Sequence, residues 1–275
     1  MSTSYLMQAN LGIGQISVAN SNLDGSGTIV PCFTAATAAG TREGGSIITS
    51  IKIKATSSIT SQGMVRLFIY DGTSFYLFKE IAVRPTTQSS VLPSFKVYMP
   101  SKLRLDSGYQ IYATTENSDP FNIFVSGYNY GACECGTMNS FPSIISNENM
   151  GLVTINTANP NIDGTGTLGT LLNSISSGAG PNIGTVVTRI TIKAEQTTTQ
   201  GMVRLYISDG TTTYLWGEVM IPAVTQSGVI QTFAKNFPAN LMLNPDYVMY
   251  ASTENAETFN LVAIAQDFTC CKCGQ

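Results

Sequence analysis

Cysteine carries most of the chemical potential of this chain, which has six cysteines and no histidine. Cys133 and Cys135 form a Cys-x-Cys pair followed by glycine, and the pattern returns at Cys271 and Cys273, where Cys270 adds a third thiol. Cys32 stands alone. Thiolates are nucleophiles and soft metal ligands, and three readings of the clusters are open. They could converge on one zinc, although tetrathiolate sites use wider spacings and no histidine is present to help. They could be bridged, between clusters or between chains, since a disulfide inside one Cys-x-Cys is strained. They could also stay reduced, packed at the ends of folding units or in subunit contacts. Cys133, Cys135, Cys270, Cys271 and Cys273 are the candidate metal or redox positions, and no cofactor is expected.

Without histidine the usual Ser-His-Asp and Cys-His arrangements are excluded, and with them the commonest general base. The segment Thr115–Asn117, Thr-Glu-Asn, is repeated at Thr253–Asn255, and Asp119 and Glu257 follow, so Glu116 with Asp119 and Glu254 with Glu257 form carboxylate pairs. A glycosidase would hold such a pair across a bond in a cleft. At a turn between strands the same residues tie down backbone amides, and that is the reading adopted. Asn20–Gly25 and Asn159–Gly164 open like calcium loops, but the twelfth position holds Pro31 or Thr170 where a bidentate glutamate is required. They are expected to be turns. The Gly-rich pieces lack the Gly-Lys-Ser/Thr ending of a phosphate loop. Tyr70, Phe75, Tyr76, Tyr128 and Tyr130 are candidates for sugar stacking, with packing as the plainer role. Trp216 replaces Phe78 in an otherwise matched strand, which also points to packing.

What must position these groups is a tandem repeat. Gln62–Gly72, QGMVRLFIYDG, returns as Gln200–Gly210, changed only at Phe68/Tyr206 and Tyr70/Ser208. Val65, Leu67 and Ile69 alternate with Met64, Arg66 and Phe68, the period of a half-buried strand, and Asp-Gly supplies the positive φ of a hairpin turn. Ile48–Thr56 matches Val187–Glu195, with Ile51 and Ile53 on one face and Lys52 and Lys54 on the other. Seven or eight such strands per copy, punctuated by Gly, Asn, Asp and Pro, make the pattern of an antiparallel sandwich and not of βαβ units. The expected fold is therefore all-β, two tandem antiparallel β-sandwich, jelly-roll-like domains from an internal duplication. Residues 1–16 are expected to be an N-terminal arm, 17–136 the first sandwich, 137–150 a linker pinned by Phe141, Ile144 and Ile145, and 151–275 the second sandwich.

Charged residues make up 11% of the 275 and the net charge is −3. With no Lys/Arg cluster there is no footprint for a phosphate backbone, so nucleic acid is not an expected partner. The first basic residue is Arg42, and no apolar run reaches membrane-spanning length. Neither a signal peptide nor a membrane contact is expected, and folding is expected in a reducing cytoplasm.

The runs LDGSGTIV, TSIKIKAT, GMVRLFIYDGTSFYLFKEI and GYQIYATTENSDPFNIFVSG, with their second copies, resemble a group of small bacteriophage and prophage structural proteins. Those commonly occur as a single β-rich unit near capsid genes. The resemblance covers Leu23–Tyr130 and Ile162–Phe268, and the duplication and the cysteines depart from it. It implies a virion component of the auxiliary capsid or head-decoration type, without enzyme activity, assembled in the bacterial cytoplasm. Its implied partners are the major capsid protein or other virion proteins, and further copies of itself. The alternative is a glycan-binding host-attachment module on a tail or head fibre.

Overall fold

The computed structural model describes residues 7–37, 44–130, 144–177, 182–227 and 229–270. Lobe one contains β1 (Met7–Ile16), β2 (Val30–Thr34), β3 (Gly45–Ala55), β4 (Ile59–Thr60), β5 (Gly63–Tyr70), β6 (Phe75–Val83), β7 (Thr86–Thr87), β8 (Lys96–Asp106), β9 (Gln110–Thr115) and β10 (Phe121–Tyr130). Lobe two contains β11 (Ile144–Ile155), β12 (Gly169–Asn173), β13 (Asn182–Ala194), β14 (Gly201–Ser208), β15 (Thr213–Ile221), β16 (Ala234–Leu243), β17 (Val248–Thr253) and β18 (Phe259–Cys270). No helix long and apolar enough to cross a membrane occurs among the described residues.

Each lobe stacks two four-stranded antiparallel sheets. Lobe one has orders β1-β10-β3-β8 and β2-β9-β5-β6, and lobe two has β11-β18-β13-β16 and β12-β17-β14-β15. The opening strands step back and forth between the sheets, which is the jelly-roll plan with two Greek keys. The duplication expected from the sequence is thus complete at the level of topology. It extends to the irregularities: bulges fall at Leu67/Phe68 and Leu205/Tyr206, and at Pro31/Phe33 and Thr170/Leu172. A bulge bends its strand and sharpens the local twist, so the two lobes are bent at matching places. The residue lost from copy two falls in the connection after β3, between Ala55/Ala194 and Thr60/Thr198.

Two expected boundaries change. Residues 7–16, read as part of an arm, are β1, which pairs with β10 from Met7↔Tyr130 to Ile16↔Phe121. Residues 144–150, read as linker, are the first half of β11, paired with β18. Both segments are poor in charge, and a sheet edge with free amides satisfies their backbone better than water-exposed coil packed against nothing. Phe141 lies outside the described residues.

Each sandwich is closed on one side only. β1 crosses β2 at Gly12, and β11 crosses β12 at Gly151, where a Cβ would run into the carbonyl oxygen of Cys32 or of Leu171. Glycine is what lets these backbones approach. At the far side β6 and β8, and likewise β15 and β16, end their sheets without meeting.

The alternation expected for β5 and β14 holds, but the face outside the sandwich is also buried, including Arg66 and Arg204. The covering element is the loop read as a turn. Asn159 Nδ2 donates to the Thr165 and Thr167 carbonyls at 2.8 and 2.9 Å, closing the loop on itself. Its outward carbonyls then accept from β14: Arg204 donates to Asn159 O at 3.3 Å and Tyr206 to Asn161 O at 2.8 Å. In lobe one Asn20 closes its loop the same way onto Ser26 and Thr28. Asp24 and Asp163 spend an oxygen on the amide two residues on, so these loops are knit internally.

Candidate functional site

The lysines of β3 locate the site. Lys52 and Lys54, expected on a polar outer face, lie where the first sheet of lobe one packs onto lobe two. In register on that face are Leu11 and Ile13 from β1 and Asn122, Phe124 and Ser126 from β10. They cover the open side of lobe two between β15 and β16. Leu11 and Phe124, 1% and 2% exposed, belong to the hydrophobic core of lobe two although lobe one carries them. At one end of the contact the Asn244 side chain accepts from the Leu11 amide at 2.8 Å and donates to the Leu11 carbonyl at 2.9 Å.

At the other end is a buried polar cluster. Lys54 Nζ lies 2.6 Å from Glu218 Oε2, and both side chains are fully buried. The same oxygen accepts from the Ser94 amide at 2.9 Å. Glu218 Oε1 accepts from Gln88 at 2.6 Å and from Arg204 Nε at 3.2 Å. Lys54 also donates to the Ser94 carbonyl at 3.0 Å. Burial pushes the Glu218 carboxyl up, but the Lys54 ammonium, the Ser94 amide and Arg204 outweigh it and leave it below its ordinary range. A buried ion pair survives desolvation only when its remaining donors and acceptors are satisfied, and here both carboxylate oxygens are.

Between these anchors a cavity of about 460 Å³ opens, lined by Lys52, Lys96 and Lys235 and by Tyr98, Phe124, Trp216 and Phe237. Lys52 Nζ sits 3.7 Å from the centroid of the Trp216 ring. Burial, with Lys54 and Lys96 nearby, holds the Lys52 ammonium well below its ordinary pKa of 10.5. Lys52→Met is therefore expected to raise the unfolding temperature at neutral pH by about 2 °C or more. Between the folded pKa and 10.5 the unfolded chain binds more protons than the folded one, so native stability rises with pH there. The advantage of the methionine variant should shrink across that window, as calorimetry at stepped pH would show.

The other candidates are placed as follows. Cys133, Cys135, Cys271 and Cys273 lie outside the described residues; Cys270 ends β18, opposite Ile144. Cys32 is a buried free thiol, and burial raises its pKa, which makes it a poor nucleophile. Among the described residues no group of three or more His, Cys, Asp or Glu side chains could hold a metal ion. Glu116 pairs with Arg66 at 3.6 Å and Glu254 with Arg204 at 3.5 Å. Asp119 accepts from the Ser61 amide at 2.7 Å, and Glu257 from the Thr199 amide and hydroxyl at 2.5 Å. The repeated carboxylates thus tie the turns after β9 and β17 back to β5 and β14 and to the residues just before them. Glu116 also borders an open cleft of about 770 Å³ with Arg84 and Asn117.

Tyr70 and Phe75 stack on each other, centroids 4.5 Å apart, and Tyr112 meets both edge-on, so these rings pack among themselves. Tyr76 is exposed and donates to Asp71 at 3.0 Å; Tyr214 repeats this with Asp209 at 3.2 Å. Sequence reasoning missed Lys54, Gln88 and Glu218. Lys54 reads in the sequence as one of the polar residues of an alternating strand, and its partner lies 164 positions away.

These features define a class: a two-lobed, tandem jelly-roll protein whose lobes are joined by a buried polar cluster. No family model matches the chain, and no curated protein matches it. Solved structures with slight similarity include PNGF-II, at 9% identity and TM-score 0.27, where 96% of this chain covers 65% of that one. The chain therefore spans just under two thirds of that protein's length. A fucolectin from Morone saxatilis (striped bass) serum matches at 12% identity and TM-score 0.24, over 97% of each chain. The major capsid protein P2 of bacteriophage PM2 matches at 10% identity and TM-score 0.21, over 95% of this chain and 98% of that one.

Proposed function

We propose that this chain is a non-catalytic structural protein of a bacteriophage virion, of the auxiliary capsid or head-decoration type, binding and stabilising the major capsid shell. The observation that carries the reading is the lobe contact. Two jelly rolls are locked into one body by a buried, fully bonded ion pair and by side chains of one lobe filling the core of the other. Such a body presents similar surfaces twice, which suits bridging repeated or quasi-equivalent neighbours. The paired carboxylates are spent on turns, in keeping with a structural part.

Mass spectrometry and cryo-electron microscopy of particles from a phage carrying this gene test the reading. Two-lobed density on the head, with the chain present in stoichiometric amount, is the expected result. Absence from purified particles, together with no binding of the purified protein to capsids, would sink it.

A glycan-binding attachment module is the second reading, favoured by the duplicated Tyr76–Asp71 and Tyr214–Asp209 pairs at the hairpin tips, the first exposed and the second half-buried. An aromatic face beside a carboxylate acceptor is a sugar-binding arrangement. Density on tail fibres, with glycan-array binding lost on Tyr76→Ala plus Tyr214→Ala, would move it ahead.

A further inference from the structure

The contact between the lobes is one-sided. Lobe one contributes a sheet face and lobe two contributes an open edge, so each lobe has an unused copy of what the other spent. The unused face is on lobe two. By register Met150, Leu152 and Val262 stand where Leu11, Ile13 and Phe124 stand in lobe one, and Ile264 replaces Ser126. Met150 and Leu152 are 63% and 61% exposed. The unused edge is on lobe one. Leu77 and Phe78 of β6 are 39% and 37% exposed, whereas their counterparts Leu215 and Trp216 in β15 are 1% and 8% exposed.

The polar anchors are duplicated too. Lys54, Gln88 and Glu218 form the cluster inside the chain, and their counterparts are Lys193, Gln226 and Glu80. Lys193 is already held in the pose of Lys54: it donates to the Thr232 carbonyl at 3.0 Å, as Lys54 does to that of Ser94. Among the described residues Lys193 makes no ion pair. Glu80 is bonded by Arg66 at 3.0 Å, as Glu218 is by Arg204, and its side chain is 43% exposed. Asn122 donates to the Leu215 carbonyl across the contact; the repeat keeps both residue types, as Asn260 and Leu77, with Asn260 here donating to Glu195 at 2.6 Å.

We propose that copies of this chain associate head to tail, the outer face of lobe two in one copy closing the open edge of lobe one in the next, with Lys193 and Gln226 meeting Glu80 of that next copy. The contact within the chain is the template for the contact between chains. It is heterologous, and each added copy offers the same two surfaces again, so the assembly closes into a ring or continues as a filament. The inference rests on lobe geometry alone and does not depend on a virion role.

Native mass spectrometry and light scattering on the full chain, from about 1 to 100 μM, test it. Species at whole multiples of 29.3 kDa are expected. Leu152→Asp and, separately, Glu80→Lys should each raise the dissociation constant at least about 30-fold. Combining Glu80→Lys with Lys193→Glu in one chain should recover most of that loss. All four forms should keep the native circular dichroism spectrum, since the altered side chains are at the surface or partly so; if Leu152→Asp misfolds, the charge swap decides. A native chain at 29.3 kDa throughout overturns the proposal. So does an oligomer indifferent to both single variants, or a swap variant that stays as dissociated as the single ones.

Discussion

Glu218→Gln is expected to lower the unfolding free energy by about 3–5 kcal/mol, the cost of leaving a buried charge without its partner. Glu218 accepts from Lys54, from Arg204, from Gln88 and from the Ser94 amide, on two oxygens with no solvent access. An amide in its place offers one acceptor and no charge, so the Lys54 ammonium and the Arg204 guanidinium stay buried without compensation. Arg204 keeps a second contact to Glu254 at 3.5 Å, which makes Lys54 the group most exposed to the loss. Adding Lys54→Met to Glu218→Gln should therefore recover a large part of the stability. The pH dependence has a definite sign. The Glu218 carboxyl is held below its ordinary value of 4.5 in the fold, so its contribution is full above that value and is lost as pH falls through the folded pKa. Denaturant titrations should show the gap between native chain and variant closing in acid and constant at neutral pH. A loss under about 1 kcal/mol at pH 7 would mean that the cluster relaxes at little cost and does not hold the lobes.

Phe124→Ala is expected to cost about 3–5 kcal/mol, as for other aromatic rings removed from cores, and to act on the lobe that does not carry it. In β10 the neighbours Ile123 and Val125 point into the core of lobe one, while the Phe124 ring lies in the core of lobe two. Amide hydrogen exchange distinguishes the two. Protection should fall first in β13, β14 and β16, with β3 and β5 retaining theirs. Loss confined to lobe one would show that the ring supports its own sheet and that lobe two closes without it.

Much of this architecture is legible in the sequence, because period-two alternation, Asp-Gly turns and an internal repeat that is nearly exact from Gln62 to Gly72 are readable signals. The strands around Ile51, Val65 and Val203 follow directly from them. What escapes is whatever depends on a surface meeting another surface. Lys52 and Lys54 alternate with Ile51 and Ile53 in the pattern of a solvated face, and the pattern is blind to a second lobe placed against that face. Arg66 and Phe68 look half-exposed for the same reason, since the covering loop starts more than forty residues upstream, at Asn20. β1 and the first half of β11 escape because glycines and polar residues interrupt their alternation; Gly12 and Gly151 are small where strands cross, a requirement of three-dimensional packing. The amide ties at Asp119 and Glu257 are legible because the motif recurs in both copies at the same strand-to-strand turn. The pairing of Glu116 with Arg66 and of Glu254 with Arg204 is not, because it joins positions about fifty residues apart.

Tyr130 leaves β10 and Ile144 enters β11, so the two jelly rolls are covalently tethered. Joining two units in one chain sets an effective concentration of one for the other, about millimolar in order of magnitude. Lobe docking then needs no diffusional encounter and little intrinsic affinity. That accounts for an ion pair such as Lys54–Glu218 at its centre: burying charge adds little net binding energy, but it penalises any slipped arrangement that leaves either group unpaired. Covalent proximity supplies the strength of the union, and the buried charges select its register.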